Sequence, residues 1–323
     1  MSEPTAKRPS LALSTCWCSA RHQDGYEMLK EMAGLGFESV ELSHGIRIAL
    51  VPGILRGVEE GLVNVASCHN FCPLPVGVEH AAPNLFAPSA KNRRERAQWL
   101  RHSRRSIDFA NQVGAPKLVL HLGKVESRWS RPGRHLEAWL EEHADEDAAR
   151  DPVYRKRLAS ELAKLRNRKR GCWENTLAGI AELLPYAASK GVALGFENRE
   201  AFEELPLDED CAGLVASMPP ESPAGYWHDT GHAQIKQRMG ILDHREHLVK
   251  NAAQILGFHL HDVSAAGRDH QPVGTGQVDF EMVGDFWRPE HTLVLELSPH
   301  LTTGDVLASK QRIEEILARR FGA

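Results

Sequence analysis

An α/β fold closed as a (β/α)8 barrel, with a charged helical insertion after the fourth strand, is what this sequence predicts. Three observations carry the prediction. Eight short apolar or β-branched runs recur along the chain, most followed by a longer amphipathic segment, as in a parallel sheet with crossover helices. The 323 residues are 42% hydrophobic, enough for one large core and a usual size for a barrel built as one domain. Ionisable and metal-competent side chains stand at the ends of most runs, where the loops of a barrel gather. Residues 1–323 therefore read as one barrel domain, with the insertion at 123–172.

The first run is Leu11 to Cys16, with a helical segment over Asp24 to Ala33. Gly34 and Gly36 lead into the second run, Ser39 to Leu42, and the third is Val63 to Cys68. A helix over Asn92 to Gln112 precedes Gly114 and the fourth run, Lys117 to His121. Two charged helices, Arg134 to Asp147 and Tyr154 to Arg170, then interrupt the alternation, separated by Asp151-Pro152. Trp173 to Lys190 and Gly191 lead into the fifth run, Val192 to Glu197. Ala224 to His228 is the sixth, His244 to Ala253 a helix, Ile255 to His261 the seventh, Thr292 to Leu297 the eighth and Thr303 to Arg319 the closing helix. Glycines just ahead of strands 2, 4 and 5 suit the residue that ends a helix in the left-handed region. An insertion after a barrel's fourth strand borders the mouth, so a lid or an oligomer contact is expected there, and the chain is expected to form a homo-oligomer.

Composition narrows the partners. Lysine and arginine total 39 against 43 acidic residues, and a net charge of −4 gives no general pull on phosphate, so nucleic acid is not expected as a partner. The basic run Arg166, Arg168, Lys169 and Arg170 is balanced by Glu137, Glu141, Glu142, Asp145, Glu146 and Asp147, which reads as a solvated helix pair. The longest apolar stretches, Leu118 to Leu122 and Leu293 to Leu297, are strand-length, so no membrane span is expected. Met1 to Ser10 is polar with no apolar signal-peptide core behind it. Cys16, Cys18, Cys68, Cys72, Cys172 and Cys211 form no regular framework and are read as reduced thiols in a cytoplasmic protein. Cys68 and Cys72 flank His69 without the paired spacing of a structural zinc site and are expected to pack as small apolar groups.

The chemistry is concentrated at the strand ends. Glu41 ends the second run, His69 the third, His121 the fourth, Glu197 the fifth, His228 and Asp229 the sixth, His259 and His261 the seventh and Glu296 the eighth. A barrel brings these to one mouth. Burying several carboxylates and imidazoles together is costly through desolvation and like-charge repulsion unless a cation neutralises them. An oxygen-rich set with some nitrogen suits Mn2+, Mg2+, Co2+ or Zn2+, so a divalent metal cofactor is expected.

These residues resemble the xylose-isomerase-like TIM barrel superfamily, which holds sugar-phosphate isomerases, ketose 3-epimerases, inosose dehydratases and endonuclease-IV-type apurinic endonucleases. The resemblance rests on Gly195-Phe196-Glu197-Asn198, His228-Asp229-Thr230-Gly231-His232, His259-Leu260-His261-Asp262, Pro272-Val273-Gly274-Thr275-Gly276 with Asp279-Phe280, and Leu295-Glu296-Leu297-Ser298. It implies that Glu197, Asp229, His259 and Glu296 bind the metal and that Glu197 and Glu296 also exchange protons with substrate. His259 is preferred to His261 because the resemblance places the ligand three residues before an acid, here Asp262; both face the barrel interior. The implied activity is a divalent-metal-dependent isomerase or epimerase for a sugar, sugar phosphate or polyol, acting by proton transfer beside a metal-bound carbonyl. His69, His121, Glu203, His232, His261 and Arg268 are candidate substrate contacts, and Trp17 a face on which a sugar could stack. Gly274-Thr275-Gly276 reads as a turn, not an anion nest.

Three alternatives stay open. An endonuclease-IV-type hydrolase of abasic DNA would use His69, His121, His232 and His270 as additional metal ligands, although Arg268 stands where an aspartate is expected and Asp269 lies next to it. A dehydratase or lyase on a keto-sugar or inosose would begin with the same proton abstraction. A sugar-binding barrel without catalysis would keep the fold alone.

Overall fold

All eight runs form strands, and each strand pairs in parallel with the next in chain order until the eighth closes on the first. The computed structural model describes residues 8–127, 131–143 and 148–322. The strands are β1 (Ser10–Ser14), β2 (Ser39–Leu42), β3 (Asn64–His69), β4 (Lys117–Leu120), β5 (Ala193–Glu197), β6 (Ala224–Asp229), β7 (Ile255–Leu260) and β8 (Thr292–Leu295). Alternation along a strand sends successive side chains to opposite faces. Ala12, Val119, Trp227 and Val294 turn inward and plug the barrel below the strand ends, while residues such as Leu13, Val40, Leu118 and Leu293 turn outward into the larger core under the helices. The plug leaves the C-terminal ends as the open part of the interior.

The helices are α1 (Gly25–Gly34), α2 (Val51–Glu59), α3 (Arg93–Gln112), α4 (Arg134–Glu142), α5 (Pro152–Ser189), α6 (Cys211–Ala216), α7 (Thr230–Arg238), α8 (His244–Asn251), α9 (Phe280–Gly284) and α10 (Thr303–Phe321). Side-chain caps fix their starts: Asp24 accepts from the amides of Tyr26 and Glu27, and Thr302 and Asp305 form a reciprocal capping box. Gly36, Gly114 and Gly191 have φ of 78°, 72° and 67°, the left-handed conformation expected of them, whereas Gly34 lies inside α1.

The segment after β4 departs from expectation. The two helices expected over Tyr154 to Arg170 and Trp173 to Lys190 are one helix of 38 residues, α5. Leu158, Leu165, Cys172, Thr176, Ile180 and Leu183 form one buried stripe through the expected break, and Gly171, where nothing crowds the backbone, is not a strong enough breaker to stop it. The insertion therefore does not end at 172: its second helix is the N-terminal part of the helix that crosses to β5. The first helix stops at Glu142 instead of Asp147, and residues 144–147, with three of the balancing acids, lie outside the described residues. The basic run finds different partners, Arg166 with Glu209, Lys169 with Asp210 and Arg170 with Glu174. The insertion stands on the mouth side, where Val125 N donates to Glu203 O at 2.8 Å and Arg131 pairs with Glu203 in the loop after β5.

All six cysteines are free, five of them buried, with Cys68 and Cys72 in the core. Among the described residues no helix is long and apolar enough to cross a membrane.

Candidate metal centre

Glu197 is the last residue of β5, Asp229 the last of β6, His259 the penultimate residue of β7, and Glu296 lies one residue past β8. One ligand atom from each of the four lies within 4.8 Å of the others. His259 Nδ1 is 2.9 Å from Glu197 Oε1, 3.0 Å from Glu296 Oε2 and 3.8 Å from Asp229 Oδ2. None of the four is more than 4% exposed. Below His259, Glu41 accepts from its Nε2 at 3.1 Å and is itself held by Ser14 Oγ and Ser67 Oγ. A carboxylate on the far nitrogen fixes the ring and leaves Nδ1 for a cation.

The charge balance fits a divalent ion. Burial pushes the carboxyl of Glu197 up, yet its cationic neighbours, His259 and Arg199 among them, hold it well below its ordinary range. Burial likewise opposes ionisation of Glu296 and Asp229, and His259 with His270, or His232 with His261, outweighs it. Burial alone would depress the His259 imidazole, but Glu296, Glu41 and Glu197 raise it well above its usual value. Three ionised carboxylates focused on one imidazole nitrogen are a set that a hard or borderline dication neutralises.

Local sequence explains how the ends are held. Asn198 Nδ2 donates to Asp229 O at 2.9 Å and its Oδ1 accepts from Asp229 N at 2.7 Å, pinning β5 to β6. Thr230 Oγ1 donates toward His259 O and His261 O, pinning β6 to β7. Asp229 caps α7 by accepting from His232 N at 2.7 Å through Oδ1, which leaves Oδ2 toward His261 Nε2 at 2.9 Å. Gly231 is required because a Cβ there would lie 2.1 Å from the His261 ring. Asp262 is a loop anchor: its carboxylate accepts from the amides of Val263, Gly274, Gly276 and Val278, which makes 274–276 a turn built on this side chain.

Further groups surround the four. His69, His121 and Glu197 bring ligand atoms within 4.8 Å of one another, as do Glu200, His232 and Asp269, and His261, His270 and Glu296. His270 adopts the left-handed conformation, with φ of 51°, and its ring stacks on His261 with centroids 4.2 Å apart. Arg199, two residues past Glu197, sends Nη1 to 3.0 Å from Glu197 Oε2 and 2.6 Å from His121 Nε2. Burial and then Arg199 push the His121 imidazole down to about 3.

A cavity of about 770 Å³ opens above the centre, with His44, His69, His121, Arg199, His232 and Asp269 among its lining residues. Glu197, His270 and Glu296 also reach it. Asp229, His259 and His261 are buried beneath. Three sequence-based candidates stand elsewhere. Trp17 is buried in the helix-side core, its Nε1 donating to Leu301 O at 3.0 Å and its ring covered by Arg21, so it has no face free for a sugar. Arg268 is exposed at the tip of the loop after β7, and the cavity is lined instead by Asp269 and His270. Glu203 faces a neighbouring cleft of about 790 Å³ beside the insertion. Arg199 and the orienting role of Glu41 were missed. The two-residue spacing from Glu197 to Arg199, which sends both side chains to the same side of an extended segment, is the signal that could have found the arginine.

A family model described as xylose isomerase-like TIM barrel matches residues 29–286. No curated protein sequence matches the chain. Among similar solved structures, a D-tagatose 3-epimerase-like protein is 16% identical with a TM-score of 0.67, covering 96% of this chain and 97% of its own. D-allulose 3-epimerase from Methylomonas sp. is 13% identical with a TM-score of 0.65, covering 98% of this chain and 100% of its own. 3-Keto-D-glucoside 4-epimerase from E. coli is 11% identical with a TM-score of 0.66, covering 95% of this chain and 100% of its own. At such identities the likeness is one of fold.

Proposed function

Because the chain belongs to the xylose isomerase-like TIM barrel family, we propose that it is a divalent-metal-dependent isomerase or epimerase of a sugar, sugar phosphate or polyol. The observation that carries this reading is the meeting of Glu197, Asp229, His259 and Glu296 within 4.8 Å at the floor of a cavity of about 770 Å³, ample for a sugar. These four residues would hold the ion, which when bound polarises a carbonyl oxygen and makes the neighbouring C–H acidic. Glu197 and Glu296 come from strands three places apart around the barrel, so their carboxylates approach a substrate from different walls. Both are held ionised, so either can take the proton from the carbon beside the carbonyl; isomerisation would return that same proton to the neighbouring carbon, and inversion would require the opposite carboxyl to carry a proton taken up from solvent. His232 and His270, which line the cavity, are placed to hold substrate hydroxyls. That three structurally similar proteins are named as epimerases or epimerase-like supports the class.

The test is incubation of protein purified without chelator, with and without Mn2+ or Zn2+, against a panel of ketoses and aldoses in deuterium oxide. The expected result is metal-dependent exchange at the carbon beside the carbonyl, with epimer or isomer formed; loss of water in place of exchange would mark a dehydratase. A panel showing neither exchange nor turnover would overturn the reading. Phosphodiester hydrolysis at abasic DNA is the second reading, favoured by the group Glu200–His232–Asp269 beside the first centre. Metal-dependent cleavage of an abasic oligonucleotide would establish it in place of the first.

A further inference from the structure

Glu197 presents its two carboxylate oxygens to different neighbours. Oε1 faces His259 Nδ1 at 2.9 Å and belongs to the four-residue centre. Oε2 faces the opposite way, 2.8 Å from His121 Nε2 and 3.4 Å from His69 Nε2. His121 is anchored through Nδ1, 2.9 Å from Asn84 Oδ1, so a neutral ring donates there and points the Nε2 lone pair at the carboxylate. Two acceptors this close need a shared positive group. Arg199 supplies it, with Nη1 2.6 Å from His121 Nε2 and 3.0 Å from Glu197 Oε2 and Nη2 3.4 Å from Glu204 Oε1. The guanidinium is buried, with the residue only 5% exposed, and Glu204 is fixed in turn by the Ala201 amide.

We propose that Arg199 is a built-in cation filling the position that His69, His121 and Glu197 would otherwise offer to a second metal ion, so that the folded chain holds a single divalent ion. The inference rests on the reading that Glu197, Asp229, His259 and Glu296 hold that ion. An arginine is charged at every physiological pH and has no lone pair to offer a metal, so it occupies such a position without ligating. It keeps Glu197 Oε2 hydrogen-bonded and thereby turns Oε1 to the centre, which makes Arg199 a positioning residue. Two-metal phosphodiester chemistry needs ions about 3.5–4 Å apart to clamp the attacking and leaving oxygens, and the guanidinium blocks one of those places. The arginine thus biases the site toward one-ion carbonyl chemistry.

The test counts ions. Wild-type protein, Arg199→Lys and Arg199→Gln are loaded with excess Mn2+, desalted and assayed by elemental analysis and electron paramagnetic resonance. One ion per chain with the spectrum of an isolated Mn2+ is expected for wild type and for the lysine variant, which keeps the charge. The glutamine variant should take a second ion, with exchange coupling, and a further His121→Asn change should return it to one. Two coupled ions in the wild type, or a single ion in a cooperatively folded Arg199→Gln protein, would overturn the inference while leaving the proposed function standing; no ion in the wild type would overturn both. Should Arg199→Gln not fold, titration of the wild type to millimolar Mn2+ decides alone: an isolated-ion spectrum throughout supports the inference, and the growth of coupling overturns it.

Discussion

At the scale of the residue, a small number of side chains carry the charge of the centre. Glu197 and Glu296 are each placed both to ligate and to move a proton, and glutamine keeps their shape while removing the basic oxygen. Glu197→Gln and Glu296→Gln are therefore expected to lower kcat by roughly 100-fold to 10,000-fold with the fold retained, measured as turnover on the best sugar of the panel beside a far-ultraviolet spectrum. Wild-type kcat in either variant would remove that carboxylate from the chemistry. Glu41 differs, since it touches His259 from below at 3.1 Å and does not line the cavity. Its loss leaves the four ligands in place but frees the imidazole to turn. Glu41→Gln should weaken metal affinity by about 10–100-fold, read by competition with a fluorescent chelator, and unchanged affinity would show that Glu41 does not orient the ring.

At the scale of the element, β6 shows how alternation serves two purposes. Trp227 and Asp229 face inward to plug and centre, while Tyr226 and His228 face outward into a buried polar chain with α8: the Tyr226 hydroxyl lies 2.9 Å from His228 Nδ1 and 2.8 Å from His247 Nε2, and His228 Nε2 lies 2.9 Å from His244 Nε2. Burial, and then His247, push His244 down to about 4 from an ordinary 6.5, so the folded chain keeps it neutral where the unfolded chain protonates it. Between those two values the unfolded state binds more protons, and stability falls as pH falls. Thermal melts of metal-free protein from pH 7 to 4 should show a declining Tm, and His244→Gln should flatten the decline within that window. An equal slope in the variant would mean that other groups carry the acid sensitivity. The strands were legible from sequence for another reason, since eight short apolar or β-branched runs, most followed by a longer amphipathic segment, stand out along the chain. The fusion of two expected helices into α5 was not legible, because Gly171 looks like a break and only the buried stripe from Leu158 to Leu183 reveals that packing continues across it.

At the scale of the whole molecule, what was legible is what the barrel itself imposes. Glu197, Asp229, His259 and Glu296 stand at or beside the ends of four consecutive strands, so closing the sheet brings them together whatever the loops do. Trp17, Glu203 and Arg268 lie in the turns and loops that follow the strands, whose course has no period to read, and none of the three lines the cavity above the centre. The same argument says where the ion's contribution to stability should be felt. Anything that binds only the folded chain stabilises it by mass action, about 2.7 kcal/mol at a hundred times its Kd. Chelation is therefore expected to lower Tm by several degrees, with recovery on adding Mn2+ or Zn2+. The loss should be local before it is global. The amides of Asp229, bonded to Asn198, and of His232, bonded to Asp229, depend directly on the centre, whereas β1 and β2 pair at the other side of the barrel from β5 and β6. Hydrogen exchange after chelation should accelerate first at the ends of β5 to β8. Uniform acceleration, or a Tm indifferent to chelator, would show that the cluster does not depend on a cation to hold its carboxylates together.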